Sequence, residues 1–212
     1  MEYPKIETLF VRDETTKKLI FGKFINETVE YLKNNVWEFT EKVDGINIRI
    51  IWDGYKVTFG GRTNNAQIPR YLLARLEELF GGNVNEQMFE QKFGENHAIL
   101  FGEGFGKKIQ KGGLYRNTTE FILFDVFIGN MWLRRESVEN IAKYFNIEVV
   151  PPVLRGTIDD GINYLIRNRK STVAHNGHLL EGLIGLPAVE LNERNGKRVI
   201  VKIKYEDFEG LV

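Results

Sequence analysis

The chain has 212 residues with 42% hydrophobic and 27% charged, enough for one well-filled core or two small domains and unlike a disordered or fibrous chain. Twenty-nine basic residues balance twenty-nine acidic ones, so no global positive field advertises nucleic acid and any such binding must use local patches. Cysteine is absent, which excludes disulfides, thiolate zinc sites and cysteine nucleophiles; with no apolar core at Met1 to Lys5 and no membrane-length apolar run, the expected location is the cytoplasm.

Phe39 to Trp52 ends in alternating apolar and polar residues, Asp53-Gly54 follows, and Tyr55, Val57 and Phe59 alternate again. This predicts a strand, a two-residue turn and a strand. Pro69 to Phe80 is predicted as a helix: proline suits its first turn, Leu72, Leu73, Leu76, Leu79 and Phe80 form one stripe, and Gly81-Gly82 ends it. His97 to Phe101 and Glu120 to Ile128 are strand-like, the second returning through Gly129-Asn130 to Met131 to Leu133. Glu136 to Phe145 is helical and closed by Asn146, and Thr157 with Asp160 caps a helix running to Arg169. Leu179 to Ile184, Ala188 to Leu191 and Arg198 to Lys204 complete the strands, the last two flanking an Asn195-Gly196 turn. Hairpins with helices between them predict an α+β fold of antiparallel β-sheets with flanking helices; the rhythm of a doubly wound sheet is missing.

Lys42 lies in Glu41-Lys42-Val43-Asp44-Gly45-Ile46-Asn47. Taken alone it reads first as a plain strand-end charge. An unprotonated amine can attack phosphorus, but a lysine at its reference pKa of about 10.4 needs neighbouring cations or desolvation to release its proton. Further groups follow in order: Gly61-Arg62-Thr63, Phe101-Gly102-Glu103-Gly104, Phe124-Asp125, Glu181-Gly182-Leu183-Ile184 and Lys202-Ile203-Lys204. The strand period of two puts Lys202 and Lys204 on one face. One face of a sheet is expected to present Lys42, Glu103, Glu181, Lys202 and Lys204. Each has a bland reading as a solvated strand end, and Phe124 as a core residue; the six groups in this order do not.

On these residues the sequence resembles the covalent nucleotidyltransferase superfamily of ATP-dependent DNA ligases, RNA ligases and capping enzymes. The resemblance runs from about residue 39 to 204. Lys42 to Asn47 matches the first motif, Arg62 the arginine after it, Phe101 to Gly104 the third motif, Phe121 to Phe127 the aromatic motif, Glu181 to Ile184 the fourth and Val201 to Lys204 the fifth. Asn47, where DNA ligases and capping enzymes usually have arginine, and the glycine-rich stretch from Phe101 through Gln110 to Lys111 are similar to the RNA-ligase branch, typified by bacteriophage double-stranded-RNA nick-sealing ligases and RNA-editing ligases. Asp44 stands where several nick-sealing enzymes have histidine.

The resemblance implies an adenylation domain of the ligase type, related to ATP-grasp folds, and an ATP-dependent RNA ligase that joins 3′-hydroxyl and 5′-phosphate ends. Lys42 would form lysyl-AMP, with Lys202 and Lys204 supplying positive charge at the α-phosphate. Glu181 would help hold Mg²⁺ (or Mn²⁺), Glu103 the ribose hydroxyls, Phe124 the adenine ring, Arg62 a phosphate or the RNA 5′ end and Asn47 a phosphate, while the backbone around Glu41 would read the base edge. A small DNA ligase, an adenylyltransferase that activates 5′ ends without joining them, and a non-catalytic nucleotide- or RNA-binding module are the alternatives.

Lys107, Lys108, Lys111 and Arg116, and later Arg167, Arg169 and Lys170, are local basic patches suited to RNA ends or a nicked duplex, with Tyr115 as a stacking candidate. His97, His175 and His178 have no metal-site spacing. Eight residues follow Lys204, so the expectation is one domain over 1–212, a core without an OB or C-terminal helical domain, with a protein partner as one route to substrate recruitment.

Overall fold

The computed structural model describes residues 1–109, 114–175 and 177–208. Its first elements are β1 (Glu7–Thr8), β2 (Phe10–Arg12), β3 (Leu19–Phe24), α1 (Glu27–Leu32), β4 (Trp37–Lys42), β5 (Ile46–Trp52) and β6 (Val57–Gly60). Next come α2 (Arg70–Phe80), α3 (Gly82–Phe93), β7 (Ala98–Gly106), β8 (Thr119–Ile128), β9 (Met131–Trp132) and α4 (Arg135–Tyr144). The chain continues with β10 (Glu148–Val149), β11 (Pro152–Gly156), α5 (Ile158–Arg167), β12 (Gly182–Pro187), β13 (Val201–Lys204) and a 3₁₀ turn, Tyr205–Asp207.

These elements form two units. The first comprises Met1–Tyr3, Asp44–Val150 and Ala174–Asn176; the second comprises Pro4–Val43, Pro151–Val173 and Gly177–Val212. In the first, a six-stranded sheet is ordered β10-β8-β7-β5-β6 with β9 paired to β8. Ile48, Ile50, Trp52, Leu100, Leu123 and Val126 point from it to one face. There they meet Leu72, Leu76 and Phe80 of α2, Phe89 and Phe93 of α3, and Val138 and Ile141 of α4. Burying each such side chain is worth about 1.5–3 kcal/mol, which fixes the register, since a one-residue slip would turn the whole set outward.

The second unit has a five-stranded sheet ordered β1-β13-β12-β4-β11 and the two-stranded β2-β3 ribbon. Trp37, Phe39, Leu183, Val201 and Ile203 face a core shared with Ile158 and Leu165 of α5 and Val29 and Leu32 of α1. The predicted capping box is present: Thr157 accepts from the Asp160 N–H and Asp160 accepts from the Thr157 N–H.

The α+β architecture is as expected, antiparallel except for β1 with β13 and β10 with β8. Four local differences stand out. The hairpin turn centres on Gly54-Tyr55, one residue late, because the Asp53 carboxylate accepts from the N–H groups of Tyr55 and Lys56 and Gly54 takes φ +101°. Gly82 to Phe93 is a helix; its Gly-Asn-Val-Asn opening hides it from sequence. Ala188 to Leu191 is not a strand, its Ala188 N–H bonding instead to Val36 C=O. The strand expected from Leu179 begins only at Gly182, leaving Leu179 in an isolated bridge to Lys170.

Candidate active site

In the second unit the site grows from the alternation of β4 and β13. Trp37, Phe39 and Glu41 are buried on one face of β4, which sends Lys42 to the other. Val201 and Ile203 face the core likewise, so Lys202 and Lys204 take the opposite face of β13. Between these strands runs β12, whose Gly182 pairs with Lys42 on one side and Lys204 on the other. The two lysines therefore flank a residue without a side chain. A Cβ at Gly182 would lie 2.3 Å from the Ile203 carbonyl oxygen, so β12 and β13 approach this closely only with glycine here.

Glu181, just before β12, reaches into the row. Lys42 Nζ donates to both of its carboxylate oxygens at 2.7 Å, and Lys204 Nζ stands 3.8 Å from one of them. Lys204 also donates to Glu206 at 3.0 Å. Burial alone would lower the Lys204 pKa; the Glu206, Glu181 and Asp207 carboxylates outweigh it and hold it above the ordinary value. Lys202 goes the other way. Burial first, then the charges of Lys204 and Lys42, push its pKa down. Two lysines on one strand face thus sit in opposite electrostatic states.

Glu41 faces away from Lys42. Its two oxygens accept from Ser171 Oγ and, at 2.7 Å each, from the N–H and Oγ1 of Thr172. The carboxylate is buried and spent on tying the Ser171-Thr172 segment to β4. The Tyr164 phenol is pushed up by its burial and, secondarily, by the charge of Glu41.

In the first unit, Asn47 of β5 and Glu103 of β7 are cross-strand partners. Both lie on the face opposite the helices, since their neighbours Ile48 and Leu100 belong to the helix-covered core. Asn47 Oδ1 is buried and has no hydrogen-bond partner among the described residues. On β8 the register shifts: Asp125 opposes Phe101 and Leu123 opposes Gly102, which leaves Phe124 as the extra residue of a β-bulge. The bulge lets Leu123 and Val126 both reach the helical core while Phe124 turns to the Asn47–Glu103 face. Tyr3 props it there, its ring edge-on to Phe124 and to Phe101 at 5.0 Å and its hydroxyl donating to Asp125 at 3.0 Å.

Arg62 lies in an exposed turn after β6. That turn is anchored by the buried Arg49, which donates to Gly61 C=O at 2.7 Å, Asn64 Oδ1 at 3.0 Å and Met1 C=O at 2.9 Å. Arg49 escaped the sequence reading although it stands in the polar phase of the Ile46–Trp52 run, the one available signal. Tyr3, Ser171 and Thr172 carry no signal at all.

Two expectations need correction. The five charged groups do not share one sheet: Lys42, Lys202 and Lys204 lie in the five-stranded sheet with Glu181 just before its strand β12, and Glu103 lies in the six-stranded one. The break falls at Val43 to Gly45, where the apolar phase shifts from Trp37, Phe39 and Val43 to Ile46, Ile48 and Ile50 and the chain leaves one sheet for the other. Tyr115 is not a surface stacking residue. It is fully buried, edge-on to Phe105. Of the basic residues near it, Arg116 is paired with Glu148, Lys108 sits over Tyr71, and Lys111 lies, like the neutral Gln110, outside the described residues. No three His, Asp or Glu side chains gather as a metal site, and no helix is long and apolar enough to cross a membrane, among the described residues.

Residues 35–204 match the RNA ligase family, about four fifths of the chain. The protein belongs to the RNA ligase family. No curated protein sequence matches it significantly. Among solved structures, a mutant Naegleria gruberi RNA ligase with ATP and Mn aligns with a TM-score of 0.67 at 15% identity, covering 96% of this chain and 56% of that one. The Naegleria gruberi enzyme with PPi gives 0.63 at 17% identity, with 97% and 62% covered, and a mutant with AMP and Mn gives 0.63 at 16%, again with 97% and 62%. At such identity the likeness concerns the fold. This family member spans little more than half the length of those ligase chains.

Proposed function

We propose that this chain is an ATP-dependent RNA ligase, with residues 1–212 acting as one adenylyltransferase domain. The observation that carries the reading is the row Lys42–Gly182–Lys204, with the Glu181 carboxylate gripping the Lys42 amine and Lys202 one pleat along. Phosphoryl transfer calls for in-line positioning and neutralisation of developing charge, and a nucleophile set among cations supplies both. In the first step Lys42 Nζ leaves its pair with Glu181, gives up a proton and bonds to the α-phosphorus of ATP. The bond from that phosphorus to the bridging oxygen breaks and pyrophosphate departs. The lysyl-AMP then passes AMP to an RNA 5′-phosphate, and a 3′-hydroxyl displaces AMP to close the phosphodiester.

The remaining residues have roles that fit their places. Lys204 and Lys202 stabilise charge on the α-phosphate. The Glu103 carboxylate accepts from ribose hydroxyls and Phe124, turned out by its bulge, stacks on the adenine. Asn47 brings a buried oxygen that needs a donor. The Glu41 backbone meets the base edge, and Arg62, exposed on its anchored turn, grips a phosphate or the 5′ end. A divalent cation suits the donor set, because Mg²⁺ keeps most of its water and takes one or two carboxylates plus phosphate oxygens; Glu181 is the carboxylate placed to hold it. Bound there, it would neutralise phosphate charge. The named neighbours hold ATP, AMP or PPi, and Mn in the first two cases, which accords with these ligands.

Incubation with α-labelled ATP and Mg²⁺ followed by a denaturing gel tests the first step. Label is expected on the wild type and absent from Lys42→Ala; an unlabelled wild type would instead favour a non-catalytic binding module. Joining assays on nicks differing only in the sugar of the 3′-terminal nucleotides then separate RNA from DNA ligase.

A further inference from the structure

The RNA ligase reading leaves unassigned the basic run that follows α5. Arg167, Arg169 and Lys170 are exposed, and none makes an ion pair or side-chain hydrogen bond among the described residues. Arg167, in the last turn of α5, is explained by the helix dipole, which favours a cation at its C-terminus. Arg169, two residues beyond, is not. Its guanidinium lies 4.4 Å from the centroid of the Tyr205 ring. Stacking of this kind fixes the plane of the fork and leaves its edge donors open, the geometry that suits a phosphate better than a lysine's point charge does.

The backbone then says where this fork stands. Arg169 C=O accepts from Leu180 N–H at 2.8 Å and Lys170 bridges Leu179, so the basic run lies antiparallel to the segment that leads into Glu181. Tyr205, which carries the guanidinium, donates its own N–H to Glu181 C=O at 2.9 Å. Arg169 is therefore held from two sides by the immediate neighbours of the carboxylate that pairs with Lys42. Val201, Ile203 and Tyr205 alternate towards the core, away from the lysine face, so Arg169 sits at the end of the sheet beside the cluster and outside it.

We infer that Arg169, stacked on Tyr205, is a phosphate-binding position for a polynucleotide strand entering beside Glu181, with Arg167 and Lys170 extending the track. The assignment of the phosphate to RNA rests on the ligase reading; the presence of a phosphate-binding fork does not. Nearby cations of this unit such as Arg155 and Arg12 are paired, with Glu38 and Asp207, whereas this run, hydrogen-bonded through its backbone to the segment before Glu181, has no ion pair among the described residues.

The test compares wild type, Arg169→Ala, Arg169→Lys and Tyr205→Leu in two measurements. The first is binding of a 5′-phosphorylated RNA oligonucleotide by fluorescence anisotropy over a salt series; the second is the apparent KM for ATP in self-adenylylation. Arg169→Ala is expected to weaken RNA binding about tenfold at low salt and to make the log–log salt slope shallower by about 0.7, one phosphate contact on a single strand. Arg169→Lys should restore the slope and only part of the affinity, and Tyr205→Leu should fall between. A raised KM for ATP with unchanged RNA binding would move the phosphate to the nucleotide and overturn the strand assignment. No change in either measurement would overturn the fork altogether. Absence of wild-type label would sink the ligase reading, yet the anisotropy series would still report on Arg169.

Discussion

In the five-stranded sheet two of the three candidate lysines are already neutralised, Lys42 locked onto Glu181 at 2.7 Å and Lys204 divided between Glu181 and Glu206, while Lys202 has no ion pair among the described residues. In the six-stranded sheet the Asn47 oxygen is buried without a partner among the described residues and a bulge spends a ladder position to present Phe124. The contrast follows from what each kind of group costs to leave waiting. A buried neutral acceptor without a partner costs about 1–3 kcal/mol, whereas an unpaired charge costs more, so the fold tolerates the first, pairs Lys42 and Lys204, and leaves Lys202 with a lowered pKa. Under the proposed function, the paired charges exchange partners on ligand binding and the neutral acceptor gains one. Substitutions in the two regions should fail in different ways.

The largest effect is expected from Glu181→Gln. Losing the charge frees Lys42 but removes the group that both positions it and can take a cation, so self-adenylylation should fall by roughly two orders of magnitude with little change in the apparent KM for ATP. Steady-state labelling rates measure both; near-normal turnover would mean that the ion pair is only structural. Phe124→Ala should behave oppositely, raising the KM for ATP about tenfold, the value of one base–aromatic stack, with a smaller change in turnover. A pure turnover defect there would break the distinction between the two sheets.

The smallest effect concerns stability and sharpens the contrast within one strand. The Lys202 pKa is pushed below the ordinary lysine value of 10.5, so the unfolded chain binds that proton more tightly and the charge is a penalty to folding at neutral pH. That penalty lifts as pH rises through the lowered value. Lys202→Met should thus match or exceed the wild-type Tm at pH 7, with the difference shrinking as pH approaches 10.5. Lys204, raised by its carboxylates, stabilises below 10.5 and loses that contribution as pH rises through its higher folded value, so Lys204→Met should lower Tm at pH 7. Thermal melts over pH 7 to 10 read both signs, and equal shifts in the same direction would contradict the opposite environments assigned to the pair.

Much of this was legible in the chain itself. The period of two places Lys202 and Lys204 together, the stripe from Leu72 to Phe80 announces α2, and Thr157 with Asp160 announces α5. What stayed hidden depends on contacts distant in sequence. Glu181 meets Lys42 across 139 residues, and nothing local says that Glu41 is claimed by Ser171 and Thr172. The bulge at Phe124 arises because Leu123 and Val126 must both reach the helical core, a demand of packing that an unbroken apolar run cannot display. Glu103 was expected on the same sheet face as the lysines because Phe39 to Trp52 reads as one strand, although the apolar phase shifts between Val43 and Ile46, where Gly45 is pressed against the Gly104 carbonyl and a Cβ would lie 2.2 Å from its oxygen.

The most direct test of the central claim is the chemical identity of the adduct. After incubation with ATP and Mg²⁺, peptide mapping by mass spectrometry should find one AMP on the Lys42 side chain, held by an acid-labile phosphorus–nitrogen bond and discharged by added pyrophosphate. An adduct on Lys202 or Lys204 instead, or one that pyrophosphate cannot remove, would contradict the account.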